Sequence, residues 1–182
     1  ASDLILPDKT YYEADNPNAD HLLAVFTDMM VQLLQKIGIA PVDATKTVKL
    51  ALAFDRSLAP YVKSAEEPAQ YTKLYNPQPI VTEPKYFAQL NQLVTDANFE
   101  TFKAWLLVMT VRSWSGYLNE EARQISSLYS RALSGSKEAR PQQKSAYYLA
   151  LGMFNQVVGD YYGRQYFGEA AKADVQKMVQ KM

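Results

Sequence analysis

Ser145-Ala-Tyr-Tyr-Leu-Ala-Leu-Gly-Met-Phe-Asn-Gln-Val-Val-Gly-Asp-Tyr-Tyr-Gly-Arg-Gln-Tyr-Phe167 is the most apolar and aromatic run of the chain. It holds five tyrosines and three glycines against two charges, Asp160 and Arg164. A helix with one face in water keeps a polar stripe, and this run has too few polar residues to make one. The pattern predicts one long helix from Pro141, buried on most sides and serving as the packing centre. Gly152 and Gly159 lie seven residues apart, about two turns, and so share a face. That spacing favours close helix–helix packing over approach of a ligand. Gly159→Leu would then overpack and cost about 1–3 kcal/mol.

Upstream, Leu4-Ile5-Leu6-Pro7 reads as an extended apolar entry, because Pro7 disfavours helix at Leu6. A first helix is predicted from Asn18 or Asp20, with Leu22, Phe26, Met29, Leu33 and Ile37 on one face and Gly38 at its end. Pro41 opens a second, with Val48, Ala51 and Leu52 inward, and Pro60 stops it. A short helix is read around Ala65–Leu74, then a loop and at most one short strand at Ile80–Thr82. Pro84 opens the next helix, carrying Tyr86, Leu90 and Leu93. Phe99 to Tyr117 is apolar nearly all round and is expected to be central. Asn119-Glu120-Glu121 starts a helix that Gly135 ends. A last helix follows Gly168-Glu169-Ala170 and runs on without a stop signal.

The fold class is therefore all-α, a multi-helix orthogonal bundle of about seven helices in a single domain over residues 1–182. At 182 residues the chain can bury a sizeable core. Lys+Arg and Asp+Glu are each 19, and this zero balance argues against a nucleic-acid partner. There is no cysteine, which removes disulfides, thiol nucleophiles and thiolate metal sites. This fits a cytoplasmic location, with export or the cell surface as the alternative. No apolar run approaches the roughly 20 residues that span a bilayer, so no membrane segment is expected.

Catalytic chemistry has little to stand on. His21 is the one histidine, so no His-Glu-x-x-His helix can form, and His21 in a first turn reads as structural or solvent-facing. Ser113-Trp114-Ser115-Gly116 sets a serine before a glycine, but after a helix, whereas a nucleophile elbow needs a strand before it. The glycines fit no phosphate loop. Glu66-Glu67 and Glu120-Glu121 stand at helix starts, where they oppose the helix dipole. The 13 tyrosines fall mostly on helical faces and read as core before groove. No catalytic, cofactor-binding or metal-binding residue is expected in this chain.

Leu6–Tyr12, Leu74–Asn76, Glu83–Tyr86, Arg131–Gly135 and Val158–Tyr162 with Phe167, in that order, resemble segments of the neprilysin family of zinc metallopeptidases, in particular its bacterial neutral oligopeptidases. Leu6-Pro7-Asp8-Lys9-Thr10-Tyr11-Tyr12 is similar to the family's Leu-Pro-x-x-x-Tyr-Tyr. Leu74-Tyr75-Asn76 and Glu83-Pro84-Lys85-Tyr86 resemble two further segments. Arg131-Ala132-Leu133-Ser134-Gly135 is similar to Arg-x-Ala-Leu-x-Gly. Val158-Gly159-Asp160-Tyr161-Tyr162, with Phe167 behind it, matches Val-Gly-x-x-Tyr and a distal Phe. The resemblance covers only part of the family's N-terminal region, a mostly helical lobe that acts as a lid over the catalytic lobe. It implies zinc in the parent enzyme, none in this chain, and hydrolysis of short peptides. It implies as partners the catalytic lobe of the same polypeptide and peptide substrates. The family's longer segment between the Leu-Tyr-Asn and Glu-Pro motifs is reduced here to Pro77–Thr82, so residues are expected to be missing or deleted near 77–80. A stand-alone helical module that holds a peptide or a partner helix is the alternative.

Overall fold

The computed structural model describes residues 4–13, 16–64, 84–167 and 169–181. These form eight α-helices and no strand, so the all-α expectation holds for the described residues. The helices are α1 (Ala19–Lys36), α2 (Pro41–Leu58), α3 (Pro84–Leu93), α4 (Phe99–Trp114), α5 (Glu120–Ser134), α6 (Gln142–Met153), α7 (Asn155–Tyr166) and α8 (Glu169–Lys181). Short 3-10 turns cover Lys9–Tyr12, Ala59–Tyr61, Asp96–Asn98 and Ser115–Tyr117. The helix read at 65–74 and the extended stretch at 80–82 lie outside the described residues. The sequence reads as one domain, and the structure has two compact units, Ala1–Ala139 and Arg140–Met182.

In the first unit, α1 packs on α2 and α5, and α2 packs on α4. Most of the expected stripe of α1 supplies the core, Leu22, Phe26, Met29 and Leu33 being buried together with Met30 and Leu34, whereas Ile37 lies past the helix end and is exposed. Ala44, Val48 and Ala51 of α2, Ala104 and Val108 of α4, and Ala122 and Tyr129 of α5 close around it. Small residues on α2 and α4 let these backbones approach while α1 fills the space between elements. Phe26 meets Tyr129 edge to face at 5.5 Å between centroids. A second cluster gathers Leu4, Phe54, Leu58, Ala59, Val62 and Leu93.

Helix ends follow local chemistry. Gly38 has φ 93°, Gly38 N–H donates to Gln35 O at 3.0 Å, and Ile39 N–H donates to Leu34 O at 3.1 Å. This paired closure needs a left-handed residue, which glycine adopts without steric cost. Gly135 has φ 69°, and Ser136 N–H reaches back to Arg131 O at 3.1 Å. The Arg131–Gly135 motif is thus a helix stop, and Arg131 Nη1 adds a bond to Lys137 O at 3.0 Å. Asn119 caps α5 by accepting from Ala122 N–H at 2.8 Å.

Two expectations need correction. Helix α4 is not enclosed: Ala104 and Val108 are buried, while Leu106, Leu107 and Trp114 are exposed. One face of α4 lies on α2, and an apolar residue on its other side finds no cover among the described residues.

The larger correction concerns residues 145–167. They are two helices, not one, interrupted at Phe154 with φ −115° and ψ 26°. Neither α6 nor α7 buries a residue. A Cβ added to Gly152, Gly159 or Gly163 would meet nothing within 4 Å among the described residues, so none of their helices is packed closely there. Their aromatic side chains find no cover among the described residues. The overpacking expected of Gly159→Leu therefore has no physical basis in this chain.

Candidate functional site

The most concentrated polar chemistry of the first unit is inside it. Asp55, on α2, is fully buried. Its carboxylate accepts from Ile5 N–H at 3.1 and 3.3 Å, from Trp105 Nε1–H at 2.9 Å, and from the Tyr12 hydroxyl. Tyr12 in turn accepts from Leu6 N–H at 3.1 Å. On the other side of the entry segment, the Tyr129 hydroxyl donates to Ile5 O at 2.8 Å. Asp8 holds the turn between, accepting from Thr10 N–H at 2.9 Å.

The Leu6–Tyr12 motif thereby acquires a physical meaning. Leu6 and Ile5 are core residues, the turn at Lys9–Tyr12 reverses the chain, and Tyr12 returns to satisfy both Leu6 and Asp55. An extended segment has no internal partners for its amides, so burying it requires acceptors from elsewhere, which Asp55 supplies.

Burial pushes the Asp55 carboxyl above the ordinary aspartate range, against the bonds from Tyr12, Trp105 and Ile5 and the charge of Arg112. Burial also raises Tyr12, and the neighbouring Asp55 adds to that. Burial pushes Tyr129 up to about 12, with Arg112 pulling the other way. A carboxylate closed off from solvent cannot reach a substrate, so this cluster is a clamp on the entry segment and not a reaction centre.

Asp55 was not singled out from sequence. The available signal was its position, four residues after Ala51 and three before Leu58, both buried. A carboxylate set in an apolar stripe requires donors from other elements.

The residues weighed for chemistry are scattered. His21 is exposed in the first turn of α1. Ser113 ends α4 on the exposed side, and Ser115 is buried, donating to Arg112 O at 3.2 Å. Glu120 and Glu121 stand at the start of α5, and Glu120 pairs with Arg123 at 2.6 Å. Bonds from Arg123 and Gln124 hold the Glu120 carboxyl down at about 2. Among the described residues, no group of three or more His, Cys, Asp and Glu is placed to hold a metal ion. No described helix is long and apolar enough to cross a membrane.

The second unit presents a surface of a different kind. Tyr147, Tyr148, Phe154, Tyr161, Tyr162 and Tyr166 are each at least 46% exposed. Tyr162 stacks obliquely on Tyr166 at 5.1 Å and nears Phe167 at 6.1 Å, so the matched Val158–Tyr162 motif and its distal Phe form one aromatic face. Apolar exposure on this scale marks an interaction surface.

Comparison with known proteins gives one consistent answer. The model of the N-terminal part of "Peptidase family M13" matches residues 1–80 and 78–182. The neutral endopeptidase of Lactobacillus helveticus is 35% identical over 205 aligned positions, which take in 97% of this chain and 31% of that protein. The neutral endopeptidase of Lactococcus lactis subsp. lactis is 33% identical, over 98% of this chain and 33% of its own length. The crystal structure of PEPO from Lactobacillus rhamnosis superposes with a TM-score of 0.83 at 28% identity, covering 99% of this chain and 33% of that one. The Mycobacterium tuberculosis zinc metalloprotease ZMP1 in its open state shares the fold, with a TM-score of 0.75 at 18% identity. The chain thus spans about a third of the length of the relatives it matches.

Proposed function

Because the chain belongs to peptidase family M13 and forms part of its N-terminal region, we propose that it is the non-catalytic helical lobe, or lid, of a zinc metalloendopeptidase acting on short peptides. The observation that carries this reading is the exposed aromatic face of α6 and α7 in a chain spanning a third of its relatives' length. The face is the surface through which the lobe meets the catalytic part of the same polypeptide and walls a peptide-sized cavity. The described residues do not fit zinc. The metal belongs with a His-Glu-x-x-His segment elsewhere in the polypeptide, where it supplies an activated water and polarises the scissile carbonyl. The short connection at residues 77–80 belongs to the same reading: the relatives' alignment of 205 positions exceeds the 182 residues here.

Hydrolysis of a quenched fluorescent peptide and zinc content by elemental analysis test this. Both are measured on the 182-residue chain and on the longer product of its reading frame. The longer product is expected to cleave and to carry one zinc, and the chain alone to do neither. Cleavage by the chain alone, or stoichiometric zinc in it, overturns the proposal.

A further inference from the structure

Where α4 runs into the 3-10 turn Ser115–Tyr117, a cleft of about 240 Å³ opens against α1 and α5. Met29, Arg112, Ser113, Gly116, Ser126 and Ser130 contribute to its lining. The guanidinium of Arg112 lies over the rings of Phe26 and Tyr129, 5.9 and 5.7 Å from their centroids. These rings belong to the core, so the cation is held by rigid groups. Arg112 itself is partly buried.

A guanidinium carries five N–H donors and no acceptor. Among the described residues, the Arg112 guanidinium makes no hydrogen bond and no ion pair, its backbone carbonyl alone accepting from Ser115. Among the described residues, the cleft has no acidic side chain in its lining, and Arg112 is the one charged residue there. Ser126 and Ser130 spend their protons on Arg123 O and Ser127 O at 2.9 Å each, whereas the exposed Ser113 hydroxyl can turn toward a ligand.

We propose that this cleft binds a small oxyanion, a phosphate or a compact carboxylate, on the Arg112 guanidinium with Ser113 as a second donor. The volume lies below the range of drug-sized pockets, which limits the ligand to a few heavy atoms. A planar fork held over two aromatic rings is preorganised for oxyanion geometry. The site is independent of the catalytic reading above, because all its residues lie within the first unit.

The test is a nuclear magnetic resonance titration of the full 182-residue chain. Inorganic phosphate and, separately, sodium acetate replace sodium chloride at constant pH and ionic strength. The signals followed are the Arg112 Nε–H and the amides of Ser113 and Gly116. Saturable shifts with one or both anions are expected, and Arg112→Gln should weaken binding by about tenfold or more, the worth of a charge-assisted contact. Phosphate alone would identify a tetrahedral site, acetate alone a carboxylate site, and both a general oxyanion site. Shifts that rise linearly, or that persist unchanged in Arg112→Gln, overturn the proposal. Should Arg112→Gln not fold, the wild-type Arg112 Nε–H decides: no saturable shift with either anion refutes the site.

Discussion

Asp55 concentrates more consequence than any other side chain in the first unit. Asp55→Ala leaves Ile5 N–H, Tyr12 O–H and Trp105 Nε1–H without their acceptor. The cost should be on the order of 3 kcal/mol by urea denaturation. Tyr12→Phe removes only the hydroxyl between Leu6 and Asp55, and about 1–3 kcal/mol should be lost. The pH dependence has an unusual sign. Because burial raises the folded-state value of Asp55, its contribution is complete below the unfolded aspartate value of about 3.9 and declines as pH rises through the raised value. Wild type should therefore gain on Asp55→Asn as the solution is acidified from neutrality. A difference between the two that shrinks on acidification would show that the bonds to the carboxylate outweigh its burial. Glu120 behaves in the ordinary direction. Its contribution is present above the unfolded value and lost as pH falls through about 2. Carbon-detected titration should find it near that value, and Arg123→Ala should return it toward normal.

At the level of elements, local chemistry sets the boundaries and remote chemistry sets the burial. Gly38, Pro41, Asn119 and Gly135 mark helix ends in the sequence because the interactions they make are with neighbours in the chain. Asn119→Ala should accordingly cost about 1 kcal/mol. The stripe of α1 was equally legible, since its 3.6-residue period fixes one buried face. Residues 145–167 were not. Aromatic density reports that a face is suited to burial, without reporting whether the rest of this chain buries it. The break at Phe154 also escaped, because the run contains no proline and Gly152, two residues before it, read as a packing residue. Asp55 carries the densest hydrogen bonding and Arg112 lies over two core rings, yet each is defined by groups distant in sequence, so neither stood out in a linear reading. Gly159 sharpens the point. With open space at its Cβ and a place inside α7, Gly159→Ala should stabilise the isolated chain by roughly 0.5–1 kcal/mol. A loss of stability would mean that something covers this face in solution.

For the whole molecule, the two units should differ in cohesion. Helices α6 and α7 bury no residue, whereas α1 and α2 are anchored by a continuous core. Amides of α6 and α7 should exchange with deuterium well before those of α1 and α2. The uncovered aromatic face should also drive weak self-association, seen as a sedimentation coefficient that rises with concentration. A strictly monomeric chain over the same range would count against the surface as an interface. The clamp on the entry segment has a consequence in time as well as in energy. Ile5 is bonded to Tyr129, 124 residues later, and through its amide to Asp55, 50 residues later. At ribosomal rates of about 5–20 residues per second, the first of these residues waits roughly 6–25 s for the last. The entry segment is thus made long before its last partner, and until α5 has left the ribosome its apolar residues are a client for chaperones.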